Sequence, residues 1–420
     1  MFWTLMTTRR FAPLFWCQFF SAFNDNFLKT SLVFLILFKL SSGNAQALIS
    51  LAGAVFIFPF FVLSALGGEI ADRFDKARVA ERLKLGEIAI AAIAVAGFWS
   101  HSVVTLFVAL FLFGVVSALF GPIKYGILPD HMARAELPAA NALVEAATFV
   151  AILTGTITGG LAASGGGDPA SFACVMMLLA LACWACAHFI PAAGRAAPSL
   201  RIDPNIAAST WRLLRELKAE RRQWWAALVV SWFWLVGVVM LALLPPLAKS
   251  HFGGNENVLT AFLAIFSISI GIGSALASLI ARGRVLLTPI PIAAIMLGVF
   301  CADLGWLASG GPQIPNVAAL YTSLPGFHVA IALAGIAIAG GLFIVPSFTA
   351  IQVWAGAERR ARAVAAVNIL NAAFMTGVSV LIALMQTAGI STPILLAMLG
   401  VANLVVAFVV FRTMPQPDAH

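Results

Sequence analysis

The sequence is a succession of apolar runs, each about as long as a bilayer-crossing helix, and no other feature restricts the fold so much. A hydrocarbon core of roughly 30 Å takes about 20 helical residues to cross. Against that length the runs fall at 11–38, 46–70, 83–100, 103–123, 138–163, 170–190, 224–247, 258–281, 285–308, 327–353, 364–388 and 391–412. In lipid every backbone amide needs an internal partner, which leaves helices or a closed barrel. The alternation of barrel strands is absent. The expected fold class is therefore all-α integral membrane, with twelve spanning helices. Only 10% of the residues are charged and 61% are hydrophobic, against about 25% charged in soluble domains. Phe2–Leu5 is too short for a signal-peptide core and the run from Phe11 too long, so the first run reads as a helix that stays.

A net charge of +8 would suggest nucleic acid in a soluble chain. Its distribution argues otherwise. An even number of spans puts both termini on one side. If that side is cytoplasmic, Lys39 and Lys249 fall opposite, and Lys29, Lys84 and Lys124 lie inside or at the edges of helices. The other twenty of the 25 basic residues are cytoplasmic. This is the positive-inside pattern, so no nucleic acid partner is expected. The five cysteines all lie in spans, and the pair Cys183 and Cys186 reads as packing. His101, His131, His188, His251 and His328 are scattered, mostly near span ends. No nucleophile and base set, metal cluster or cofactor is expected, and hence no enzyme.

Residues 192–223 separate two six-span halves, 1–191 and 224–420. The segment is basic, with Arg195, Arg201, Arg212, Arg215, Lys218, Arg221 and Arg222. Asp203-Pro204 reads as a helix start. Trp211, Leu214 and Leu217 then share a face, which suggests an interfacial helix, with a solvated linker as the alternative. The loop after span two reads Gly68-Glu69-Ile70-Ala71-Asp72-Arg73-Phe74-Asp75-Lys76-Ala77-Arg78. With the six-plus-six layout it resembles the signature of the major facilitator superfamily. Asp72 is expected near a neighbouring helix terminus and basic groups, with Gly68, Arg73, Lys76 and Arg78, as a conformational latch. Gly68 would allow close helix approach. Asp75 stands where a glycine is usual. In the matching stretch Gly273–Arg284 of the second half, Ala277 replaces the acid, so that latch is expected to be lost.

Ser21–Ser31 (SAFNDNFLKTS) places Asn24, Asp25, Asn26 and Lys29 inside an apolar run. A charge at bilayer depth costs roughly 3 kcal/mol or more, so this face should meet a protein interior or a wet cavity. Asp25 and Lys29 are four apart and share that face, and the alternative to a site is a structural pair. Further ionisable residues inside spans are Lys84, Glu87, Lys124 and Glu145, against only Asp303 in the second half. Glu145, one turn beyond Asn141 and three residues before Thr148, reads as functional. Lys124, beside Tyr125 in Gly121-Pro122-Ile123-Lys124-Tyr125-Gly126, is expected on a broken helix as an anion site, or as an interfacial lysine. Lys84 and Glu87 read as a helix-start pair, and Asn368 and Asn371 as interhelical glue. A polar first half facing an apolar wall of Trp232, Phe233, Trp234, Phe262, Phe266, Phe343 and Phe348 suits an amphipathic guest.

SAFNDNFLK at 21–29, GPIKYGIL at 121–128 and NALVEAATFVAIL at 141–153 resemble the bacterial lysophospholipid transporters, most closely over 15–160. The resemblance implies inward movement of lysophospholipid, chiefly lysophosphatidylethanolamine, from the outer to the inner leaflet of the inner membrane. It also implies reacylation by an acyltransferase and acyl-carrier-protein synthetase, with no such domain expected before His420. By that resemblance Asp25, Lys124 and Glu145 contact the head group. Residues 224–247 lack the basic residue such transporters carry in helix seven. The rival readings are a proton-coupled exporter of amphipathic drugs, a membrane lipid enzyme and a non-transporting scaffold.

Overall fold

The structure is a computed structural model describing residues 2–39, 45–163 and 168–414. The expected end of the chain at His420 lies outside them. The described residues form helices α1 (Phe2–Thr7), α2 (Ala12–Lys39), α3 (Ala45–Arg73), α4 (Lys76–Trp99), α5 (Val103–Gly126), α6 (Leu128–His131), α7 (Leu137–Ala163) and α8 (Pro169–His188). They continue with α9 (Ile206–Ala219), α10 (Arg221–Pro246), α11 (Glu256–Ala281), α12 (Pro289–Ser309), α13 (Val317–Thr322), α14 (Leu324–Trp354), α15 (Arg360–Thr387) and α16 (Thr392–Thr413). Ten of the helical stretches are long and apolar enough to cross a membrane. Charges lower the hydropathy of α2 and α4, but both match the others in length and pack among them, which completes twelve.

α2, α3, α4, α5, α7 and α8 pack on one another, as do α10, α11, α12, α14, α15 and α16. The two groups meet through α3 on α15, α7 on α11, α5 on α15 and α7 on α14. Small residues set the tightest approaches. At Gly341 of α14 an added methyl would run into the backbone of Ile270, Gly273 and Ser274 on α11.

Three expectations need correction. The third span begins at Lys76 rather than 83, because Asp75 caps it: one carboxylate oxygen accepts from Ala77 N at 3.0 Å and Arg78 N at 3.2 Å. Asp75 has φ −65°, so this position has no need of glycine. Second, α5 runs unbroken through Pro122 to Gly126. Lys124 is on its last turn, not on broken backbone, since membrane helices tolerate a proline whose freed carbonyl is re-satisfied by neighbours. Third, the linker helix is capped by Asn205, whose side chain accepts from Ala208 N at 3.0 Å, and not by Asp203. Its buried face is Ser209, Leu213 and Leu217, which turn to the protein, while Trp211 points outward.

Gly341→Ala should lower the melting temperature in detergent, with a loss of about 1–3 kcal/mol from overpacking. Gly86→Ala, where a methyl meets open space, should leave it unchanged or slightly raised. Fluorescence-detected unfolding of the two variants makes the comparison.

Candidate functional site

A cavity of about 340 Å³ lies between the two groups of helices. Its ionisable lining is Asp25 and Lys29 from α2 and Lys124 from α5. Gln18, Ser21, Asn26, Ser117, Tyr125 and Thr148 add polar groups from the same side. The opposite side contributes Trp234, Val238, Phe348, Ala372 and Met375, with Asn368 and Asn371 as its polar members. α3 adds Phe56, Ile57 and Phe60.

Asp25 and Lys29 share a face but form no ion pair among the described residues. One Asp25 oxygen, Oδ2, accepts from the Ser117 hydroxyl of α5 at 2.7 Å, and Oδ1 is buried without a partner. Asn26 is tied to its own helix, donating to Ala22 O at 2.8 Å. Asn24 points away from the cavity, reaching Met176 O on α8 at 3.4 Å. The Lys124 ammonium stands 4.7 Å from the centroid of the Tyr125 ring.

Two expected head-group residues lie behind or beneath the lining. Glu145 is fully buried and accepts from the Tyr125 hydroxyl at 2.6 Å, its second oxygen unpartnered. Asn141 is also buried and does not line the cavity. Its amide donates to Gln352 Oε1 at 2.7 Å and Thr349 Oγ1 at 3.2 Å, both on α14.

Of the seven expected wall aromatics, Trp234 and Phe348 line the cavity. Phe262 and Phe343 are packed out of reach in the second half's core. Trp232 turns to α16, donating to Asn403 Oδ1 at 2.9 Å. Phe233 and Phe266 instead pack on Phe149 of α7. Asn371 does act as interhelical glue, accepting from the Ser231 hydroxyl at 2.9 Å.

Lys84 and Glu87 are a buried ion pair at 2.6 Å in mid-helix, not a helix-start pair. Because α4 starts at Lys76, both fall deep in the bundle. The ammonium also donates to the Ser21 hydroxyl at 2.7 Å and stands 4.2 Å from the Phe120 ring centroid. Ser21 and Phe120 both line the cavity, so the pair stiffens its wall from behind. Gln18, Ser117 and Gln352 were not singled out in the sequence, where single uncharged polar residues in apolar runs carry little signal.

At the end of the molecule bearing the loop 73–76, the two groups are held together by charge. Both Asp72 oxygens accept from the N-terminus of α15, from Ala361 N and Arg362 N at 3.1 Å each, and Oδ2 also accepts from Arg362 Nε at 3.0 Å. A helix N-terminus offers free N–H groups and a positive dipole end, which suits a carboxylate. Lys76 pairs with Asp130 at 2.8 Å, and Asp130 in turn with Arg360 at 3.0 Å. Gly68 lies against Arg362 and Ala365 with no room for a side chain. Arg73 stacks over Phe74 and the exposed Arg78 side chain makes no ion pair among the described residues, so neither joins this network. In the second half Ala277 is buried and Arg282 and Arg284 are exposed.

The α3–α15 seam is fastened at this basic end. Away from it Gly53 and Gly377 have no neighbour at the position of a side chain, and Val380, Leu381 and Leu384 of α15 are exposed. Among the described residues no group of three or more His, Cys, Asp and Glu is placed to hold a metal. Cys17 and Cys183 lie buried with sulfurs 3.8 Å apart, and Cys186 is half-buried.

A profile described as Major Facilitator Superfamily matches residues 14–336. Proteins named lysophospholipid transporter LplT, from Yersinia pestis (strain Pestoides F) and Yersinia pseudotuberculosis serotype O:3 (strain YPIII), are each 29% identical over 347 residues. The alignment covers 81% of this chain and 78% of each of theirs. The human organic anion transporter MFSD10 superposes with a TM-score of 0.74 at 14% identity, covering 95% of this chain and 99% of its own. A bacterial homologue of the iron transporter ferroportin, in an outward-facing state, gives 0.70 at 15% identity, covering 96% and 98%. At such identities the structures speak for the fold alone.

Two outcomes follow from this geometry. Lys84→Met or Glu87→Gln alone strands a buried charge and should cost about 3–5 kcal/mol. The double variant Lys84→Met/Glu87→Leu should regain most of it in thermal melts. Asp72→Ala should move the equilibrium toward an open basic end by about 5- to 150-fold, a coupling of roughly 1–3 kcal/mol. The distance between spin labels at Arg78→Cys and Arg284→Cys, both exposed and one on each half, measures it.

Proposed function

We propose that this chain, which belongs to the Major Facilitator Superfamily, carries lysophospholipid from the outer to the inner leaflet of a bacterial inner membrane by alternating access. The observation that carries the reading is the division of the cavity. All its ionisable lining comes from α2 and α5, and the facing wall is mainly apolar, Trp234, Val238, Phe348, Ala372 and Met375, with the uncharged Asn368 and Asn371 beside them. A guest with one charged head and one acyl tail matches both walls at once. A sugar or amino acid would leave the apolar wall without a partner. The similarity to proteins named as lysophospholipid transporters supports the substrate class.

The head group lies against Asp25, Lys29 and Lys124, an amine on the carboxylate and the phosphate on an ammonium. Glu145 stands behind, with one oxygen free for a donor. The tail follows Trp234 and Phe348 and leaves through the α3–α15 seam into lipid. Carrying a zwitterionic head through hydrocarbon unaided is prohibitive, and a lined polar track lowers that barrier. With the basic end cytoplasmic, as charge asymmetry requires, both termini are cytoplasmic and the captured state is closed inward. The bundles 1–191 and 224–420 are then the moving bodies, with 192–223 as their strap. No bond of the guest is made or broken, and the delivered lipid passes to an acyltransferase and acyl-carrier-protein synthetase for reacylation.

In proteoliposomes, Asp25→Asn and Glu145→Gln should each slow lysophosphatidylethanolamine flipping at least about tenfold, or 1.4 kcal/mol. Undiminished rates in both would remove the track. Uptake that collapses with a dissipated pH gradient, and no lysolipid movement, would favour a proton-coupled exporter of amphipathic drugs instead.

A further inference from the structure

We infer that Tyr125 relays occupancy of the head-group site to a buried closure between the halves, formed by Asn141, Gln352 and Thr349. The identity of the ligand rests on the function proposed above, and the closure itself does not.

Four contacts converge on Tyr125. Its hydroxyl donates to Glu145 Oε1 at 2.6 Å. Its ring stacks on Phe348 of α14, centroids 4.2 Å apart and planes 13° from parallel. The Lys124 ammonium stands over the same ring. Its carbonyl accepts from Gln352 Nε2 at 3.0 Å. Gln352 and Asn141 then exchange two bonds, at 2.7 and 3.1 Å, and Asn141 also donates to Thr349. Asn141 and Gln352 are completely buried and Thr349 nearly so.

This set joins α5 and α7 to α14, so it joins the two halves. It lies beneath the cavity: Asn141, Gln352 and Thr349 are outside the lining, while Lys124, Tyr125 and Phe348 are part of it. Tyr125 is thus the member that bonds to the amide cluster and also faces the guest. Buried amides hold firmly because breaking them strands donors and acceptors away from water. The closure therefore stays shut until water or new partners reach it.

The guest acts through the lining. Glu145 lies outside it, so the amine rests on Asp25, as proposed above. A phosphate bound to Lys124 draws the ammonium off the Tyr125 ring. That change loosens the ring from Phe348 and, with it, the carbonyl that anchors Gln352. Binding the head thereby unlocks the floor beneath it, and an empty site keeps it locked.

The test uses the full chain in nanodiscs, with spin labels at Arg78→Cys and Arg284→Cys. Both positions are exposed at the basic end, one on each half, and Cys174 is changed to Ser because it too is exposed. Electron–electron resonance distances report opening, with lysophosphatidylethanolamine as the probe. Without lipid, Tyr125→Phe should raise the open population at least about fivefold over wild type, and saturating lipid should add less than a further doubling. Its melting temperature should fall, since both oxygens of buried Glu145 then lack a donor, and Tyr125→Phe/Glu145→Leu, which removes both partners, should melt closer to wild type and still open without lipid. Asn141→Leu/Gln352→Leu should open without lipid. A lipid-free Tyr125→Phe protein as closed as wild type overturns the relay, and a closed double leucine variant overturns the closure. Opening in Tyr125→Phe beside a wild type that ignores the lipid would strike the substrate reading and uphold the relay.

Discussion

A charge in hydrocarbon must find a partner inside the protein, and much of this arrangement follows from that constraint. The first half carries six such groups across α2, α4, α5 and α7: Asp25, Lys29, Lys84, Glu87, Lys124 and Glu145. Each of these helices turns its polar stripe inward. Asp25 reaches Ser117, Lys84 reaches Glu87 and Ser21, and Glu145 holds Tyr125. The far side of α5 is correspondingly apolar, with Val104, Val108 and Phe111 exposed. The second half lacks this demand. Its one in-span acid, Asp303, pairs with His328 at 3.0 Å near a helix end. That half is drawn together by close backbone approach, at Gly273 against Ile338 and Gly400 against Ala302. The first half uses close backbone approach as well, at Gly155 against Phe23 and Gly159 against Phe27, but it alone adds buried charge, so the ionisable lining of the cavity comes from that half.

The two closures at the basic end obey different physics. Asp72 on the α15 N-terminus and the chain Lys76–Asp130–Arg360 are charged, with Asp72 and Lys76 buried and Asp130, Arg360 and Arg362 partly exposed at the rim, so salt reaches only their outer members. The amide cluster of Asn141 and Gln352 is dry and neutral, so ionic strength does not reach it. The linker adds a third tie. Buried Glu69 accepts from Asp203 N and the Ser209 hydroxyl, and Arg359 pairs with Glu216 on the same linker helix. α9 thus touches both halves, which makes the connecting segment a brace on the closed state rather than a slack tether.

How far the sequence could be read depended on what each residue announces. The spans were legible because length and apolarity together leave no alternative. Asp72 and Gly68 were legible because a loop motif has fixed spacing and a fixed geometry to satisfy. Lys84 and Glu87 were misplaced because the polar first turns of α4 look like loop, and only the Asp75 cap shows where the helix starts. The aromatic wall was overdrawn for a related reason. Phe262 and Phe348 lie in equally apolar runs, and the run does not say which faces a neighbour and which faces space. Asn141 posed the subtlest case: an in-span amide points inward, but its partner, a guest or Gln352 some 211 residues away in sequence, is decided by packing alone.

The asymmetry between halves also decides where the molecule can part. The α7–α11 side is packed from Ala135 against Gly283, just outside the two helices, through Ala146 against Gly271, to Phe149 against Phe266. Within α7 these contacts extend from its start at Leu137 to Phe149, roughly 18 Å at 1.5 Å per residue. They use small side chains and rings, which leave no wet gap to widen. The α3–α15 seam is instead fastened by charge at one end, Asp72 to Arg362, and beyond it Asn368, Asn371 and Met375 of α15 border the cavity with Gly53 and Phe56 of α3. A seam held at one end by a carboxylate can swing, whereas one filled along its length by Phe149, Phe266 and glycine contacts has to slide. On the proposed reading the acyl tail therefore travels on the α3–α15 side alone, and the polar lane of α2 and α5 keeps the head in place while it does so.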